Sequence, residues 1–173
     1  MDCQIDFYVL AESAPPAEKL ACRLSLMSWE QGHRVSVLAP DENSARSLDE
    51  LMWDYTPARF LPHERGAPGL SAAGLSAAGL SAAGLGAAGL GAVGQVAAGR
   101  GAPVSIVSSA DQLGADRDVV VNLGDEAVPD PGRFHRLLEI VPADPHRREA
   151  SRDKFRYYRK LGLQPAKHDV LTF

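Results

Sequence analysis

The residues best suited to hold a ligand lie near the end of the chain, in DPHRREASRDKFRYYRKLG. Seven cations (Arg147, Arg148, Arg152, Lys154, Arg156, Arg159, Lys160) meet three anions there (Asp144, Glu149, Asp153). The whole chain carries a net charge of −4, so this positive charge is a local concentration. Arg148, Arg152 and Arg156 stand at i, i+4 and i+8, which stacks side chains along one helix face, with Phe155 and Arg159 beside the row. Guanidinium groups grip carboxylates in bidentate pairs and a neighbouring ring accepts an apolar anchor, so the row suits an acidic peptide. A solvated helix laced with ion pairs has the same spacing, and direct binding of single-stranded DNA is a third reading.

A second cluster is Trp53, Pro57 and Phe60 in LDELMWDYTPARFLPH. Large apolar groups beside a turn are either core fillers or anchors for a partner, and residue type alone favours the core.

Elsewhere the residues that do chemistry are scattered. The five histidines stand singly, none with the i, i+4 partner of a helical metal site, and Cys3 and Cys22 are too few for a zinc site or a disulfide framework. Ser108 and Ser109 lie outside any nucleophile elbow. The carboxylate pairs Asp41–Glu42 and Asp125–Glu126 read as helix caps or solvated loop. The loop after the first strand, LAESAPPAEKL, lacks the glycines of a phosphate loop. No catalytic residue, metal or cofactor is expected, and an enzyme binding nucleotide on a Rossmann-like fold remains the alternative.

These side chains need a scaffold. The chain has 173 residues, 45% hydrophobic and 23% charged, the composition of one globular domain. Strands are expected at Gln4 to Leu10, Val35 to Ala39, Val104 to Val107 and Val119 to Leu123, and helices at Ala17 to Gln31, from a cap at Asp41 to about Trp53, and from about Asp144 to Leu161. Phe134 to Val141 reads as a short helix turning into a strand. The alternation predicts an α/β fold of three layers, a mainly parallel, Rossmann-like sheet with helices on both faces.

Between about 66 and 101 the pattern breaks into GLSAA repeats with glycine at every fifth position from Gly69 to Gly99. Five residues turn a helix by about 500°, so the leucines drift around the axis and form no stripe. The segment reads as a flexible Gly/Ala-rich insertion in a surface loop of a single domain, with a helical arm for a partner as the other reading. It is charge-free but too poor in large apolar residues to span a membrane. With an acidic N-terminus and two thiols, the chain reads as cytoplasmic.

Taken in order, FYVL, WEQGHRVSVLAPDE, LDELMW with FLPH, APVSI, LLEIVP and KFRYYRKLG resemble the chi subunit of bacterial DNA polymerase III. The resemblance covers nearly the whole chain apart from the insertion. It implies a non-catalytic, clamp-loader-associated adaptor that binds the psi subunit and the acidic C-terminal tail of single-stranded DNA-binding protein, touching nucleic acid only indirectly. It also implies the residues: Val141, Arg148, Arg152, Phe155 and Arg156 for the tail, and Trp53, Pro57 and Phe60 for psi. At Phe155 the family has a tyrosine, so the ring persists without its hydroxyl. A helicase-type repair partner at the psi surface is implied for some relatives. The insertion follows FLPH directly, beside the psi residues.

Overall fold

Short apolar runs, three of them rich in β-branched residues, make most of the strands: β1 (Gln4–Leu10), β2 (Val35–Leu38), β3 (His63–Arg65), β4 (Val104–Val107), β5 (Val119–Asn122), β6 (Arg136–Val141) and β7 (Ala166–Val170). The helices are α1 (Ala17–Glu30), α2 (Glu42–Asp54) and α3 (Pro145–Lys160). This computed structural model describes residues 3–55, 60–66 and 101–173. The interior of the expected insertion and Pro57 lie outside the described residues.

The seven strands form one sheet in the order β3-β4-β2-β5-β6-β1-β7, and every neighbouring pair is parallel. The expected mainly parallel sheet is thus wholly parallel among the described residues. β2, β4 and β5 are buried along their whole length, which is why they read as unbroken apolar runs: both faces are covered. Val35, Val37, Val104, Ile106, Val119 and Val121 join the cluster under α1 and α2. Leu38, Val107 and Val120 join the cluster under α3. The opposed hydroxyls of Ser36 and Ser105, both fully buried, satisfy each other at 2.7 Å.

Chain direction explains the layering. From β1 to β2 to β3 the chain moves one way across the sheet, and from β4 to β5 to β6 to β7 it moves the other way. Right-handed crossovers then place α1 and α2 on one face and α3 on the opposite face, matching the two clusters. Connections leaving β2 and those leaving β4 and β5 therefore diverge at the strand ends, which makes a topological switch point there.

Two helices start on aspartate caps. Asp41 accepts the Ser44 N–H at 2.7 Å and Asp144 accepts the Arg147 N–H at 3.1 Å, each satisfying a donor that the helix itself leaves unpaired. α3 ends before Gly162, whose φ of +83° suits a residue without a Cβ. The helix expected within Phe134 to Val141 is absent: a 3₁₀ turn at Pro131–Arg133 comes earlier, and the strand begins at Arg136. Pro131 opens that turn, and the apolar run behind it pairs with β1 and β5 instead of coiling.

Arg117 closes the amino ends of the strands. Its side chain is fully buried and its Nη1 donates to the carbonyls of Ala102 (2.8 Å) and Pro103 (2.9 Å). Glu64 stands 3.5 Å from its Nη2 and also accepts the Ala102 N–H at 3.1 Å. Both described flanks of the insertion are thereby tied to the sheet.

Candidate functional site

α3 has two working faces, separated by one step of the helix. On the inner face Ser151, Lys154 and Tyr158 are buried. Lys154 Nζ lies 2.6 Å from the Glu139 carboxylate in the middle of β6 and donates to the Gly124 carbonyl at 2.7 Å. The Tyr158 hydroxyl donates to Glu139 at 2.6 Å and accepts the Val128 N–H at 2.8 Å. Asn122 Nδ2 completes the carboxylate's partners at 3.0 and 3.1 Å. Burial, with Glu139 beside it, pushes the Tyr158 hydroxyl far above its usual range, so it acts as a fixed donor. This network fixes the rotation of α3 against the sheet, because any turn of the helix would strand a buried charge.

The next stripe of the same helix borders an open groove of about 290 Å³. Phe7 and Val9 of β1 and Val141 of β6 supply its apolar wall, and Arg148, Ser151, Arg152 and Phe155 its helical wall. Lys167 of β7 closes the far edge. The Phe155 ring meets Phe7 edge-on at 5.3 Å, a geometry worth about 0.5–1.5 kcal/mol beyond area burial. Arg148 Nη2 donates to the Leu10 carbonyl at 3.1 Å, while its buried Nε has no acceptor. Arg152 is exposed and has no ion-pair partner among the described residues. A groove with an apolar wall, an orphan N–H and an uncommitted guanidinium is chemically suited to a carboxylate attached to something apolar.

Four of the five tail residues marked in the sequence thus come together: Val141, Arg148, Arg152 and Phe155. Arg156 does not line the groove; its Nη1 pairs with Asp153 at 2.8 Å on the open surface. Two other cations of the helix are committed elsewhere, Lys154 to Glu139 and Arg147 to Asp125 and the Leu123 carbonyl. Sequence reasoning missed Lys167. No spacing rule could have found it, since it reaches the groove only through the pairing of β7 with β1.

At the opposite corner, Trp53 and Phe60 are each 58% exposed with ring centroids 5.3 Å apart. Residue type alone had favoured the core for them; the structure places both on the surface. His63, its side chain buried, meets Trp53 with its ring tilted by 60° at 4.9 Å and holds the Leu61 carbonyl through Nδ1 at 2.7 Å.

The switch point at the strand ends holds a larger cleft of about 630 Å³, floored by Leu38, Ala39 and Pro40. Its polar lining includes Asp111, Asp125 and Glu126, carboxylates that repel a phosphate group. An α/β enzyme would bind its nucleotide in such a crevice, so the charge there disfavours the nucleotide alternative. Among the described residues no group of three or more His, Cys, Asp or Glu side chains could hold a metal ion, and no helix is long and apolar enough to cross a membrane.

The fold resembles that of T4 UvsW, with a TM-score of 0.59 and 8% identity; the match covers 98% of this chain and spans 42% of that one. DNA polymerase III subunit chi of Pseudomonas aeruginosa is 31% identical over 166 residues, covering 95% of both chains. The Escherichia coli subunit of that name is 24% identical over 162 residues, covering 91% of both. The family described as DNA polymerase III chi subunit, HolC, matches residues 3–78 and 91–166, which include both exposed rings and every groove residue except Lys167. The chain belongs to the DNA polymerase III chi subunit family.

Proposed function

We propose that this chi-family chain is a non-catalytic adaptor that holds the acidic C-terminal tail of single-stranded DNA-binding protein in the groove between α3 and β1. The observation that carries the reading is the pairing of Arg152, exposed and unmatched, with the orphan Arg148 Nε beside an apolar wall. The tail's carboxylates meet the guanidinium groups and its apolar end packs on Phe155 and Val141. The contacts are partly exposed and ionic, so affinity is modest and falls as salt rises.

Calorimetric titration of a tail peptide into the full chain tests this. Arg152→Ala weakens binding about tenfold, the equivalent of about 1.4 kcal/mol, while the thermal midpoint stays unchanged. Equal affinity in the variant refutes the assignment.

The exposed Trp53–Phe60 pair fits the psi subunit, since two large rings standing in solvent beside each other cost the monomer apolar exposure that a partner recovers. Trp53→Ala is expected to weaken psi binding at least about tenfold and to leave tail affinity within about twofold. Surface plasmon resonance with each partner in turn checks both statements.

A further inference from the structure

The geometry points to Lys167 and Asp169 of β7 as a paired selectivity element of the tail groove: Lys167 supplies a third cation, and Asp169 holds it back until a sufficiently acidic peptide arrives. This inference rests on the groove reading above and extends it from two cations on α3 to a charge device on the facing wall.

β7 is the outer strand of the sheet and runs parallel to β1, with Lys167 beside Phe7 and Asp169 beside Val9. Phe7 and Val9 both line the groove, and in-register neighbours share a sheet face. Lys167 therefore lines the groove too, and Asp169 stands at its margin. Lys167 Nζ lies 2.9 Å from Asp169 Oδ1, with side-chain exposures of 59% and 70%. An ion pair that exposed contributes little, so Lys167 exchanges Asp169 for an incoming carboxylate at small cost. Asp169 opposes the same carboxylate through charge repulsion. A peptide with one acid gains little by displacing Asp169, and one with several acids gains more.

The strand's register keeps this arrangement in place. His168, between the two, points to the other face, where its Nε2 lies 2.8 Å from the buried Asp6 and its ring stacks on Tyr8 at 5.1 Å. A one-residue slip would carry Lys167 out of the groove and His168 into it. The Asp6–His168 contact is thus the positioning element for Lys167.

Two synthetic peptides read the device, one with an apolar C-terminal end preceded by several aspartates, the other with those aspartates changed to asparagine. Both are titrated into the full chain and into Lys167→Gln, Asp169→Asn and Arg152→Ala. The wild-type chain prefers the acidic peptide; Lys167→Gln cuts that preference about threefold, and Asp169→Asn, which frees Lys167 for a single carboxylate, tightens the asparagine peptide about threefold and the acidic one less. A gain of affinity on removing a charge is a result that a merely structural role for β7 would not give. Unchanged preference in Lys167→Gln, or weaker binding by Asp169→Asn, overturns the inference while leaving the groove reading intact if Arg152→Ala still weakens binding. Absence of binding by the wild-type chain, or binding that Arg152→Ala leaves unaltered, overturns both.

Discussion

Two clefts open beside the carboxyl ends of the strands, and they carry opposite charge. The larger, at the switch point, is rimmed by Asp111, Asp125 and Glu126, and the smaller, between α3 and β1, by Arg148, Arg152 and Lys167. Consecutive residues divide the two: Arg147 reaches toward Asp125 and the Leu123 carbonyl, while Arg148 turns to the other side and donates to Leu10. One residue of a helix is a turn of about 100°, enough to commit one guanidinium to architecture and leave its neighbour at the groove. The cleft where α/β folds usually bind ligands is thus anionic, and the cationic groove proposed for the tail lies on a lateral face. Charge count along α3 says little about this division; what each cation already touches says most.

The largest test of the comparison is the lock that orients α3. Lys154→Met leaves Glu139 buried with its cation gone and is expected to destabilise the fold by about 3–5 kcal/mol, measured by urea unfolding. If the lock sets the helix's rotation, the tail affinity of the folded fraction falls as well, although Lys154 never touches the groove. A stable variant with full affinity would mean that the two faces of α3 are independent. Glu139→Gln with Lys154→Met restores a neutral interior and is expected to recover part of the lost stability.

A smaller effect separates the two adjacent arginines. Arg148→Ala removes the orphan donor and weakens the tail peptide about fivefold to tenfold. Arg147→Ala costs about 1 kcal/mol of stability through the lost contact with the Leu123 carbonyl, and it changes tail affinity less than about twofold. Reversed results would reassign the peptide site to the acidic cleft's side of the helix.

Much of this was legible in the chain, for definite reasons. β1 and β4 were expected with the boundaries they have, because their apolar runs end at turn residues. Asp41 and Asp144 were readable as helix starts because a capping carboxylate needs only local sequence. β3 and β7 were missed: HER and AKHDV carry no apolar alternation, since both are outer strands of the sheet held by backbone pairing and, for β7, by the long-range contacts of His168 with Asp6 and Tyr8. The arginine row was visible, but its division was not. Arg148, Arg152 and Arg156 share a helical spacing, yet the groove covers only the first two, and Arg156 turns to Asp153. A signal for the buried face did exist, in the i, i+3, i+7 placement of Ser151, Lys154 and the large ring of Tyr158.

The groove's two long walls are held by different chemistry, and acid tells them apart. Burial alone would raise the Asp6 carboxyl, but hydrogen bonds from His168 and Arg136, with the pull of their charges, win and hold it below the ordinary aspartate value. A carboxylate depressed in the folded state gives stability that is present above its unfolded pKa and lost as pH falls through the folded one. The wild-type chain therefore loses this contribution as pH drops from about 4 downward, the ordinary aspartate value being about 3.9. Asp6→Asn lacks it at every pH: it is expected to be less stable by about 1 kcal/mol at pH 7, with the gap closing in strong acid. Urea midpoints of both proteins along a pH series measure this. Hydrogen exchange of the β7 amides at neutral pH locates the effect, which should open the Lys167 wall and leave the Glu139 lock under α3 protected. Equal opening of both walls would show that β7 and α3 form one cooperative unit, and the acidic cleft on the far side of α3 would then be expected to respond with them.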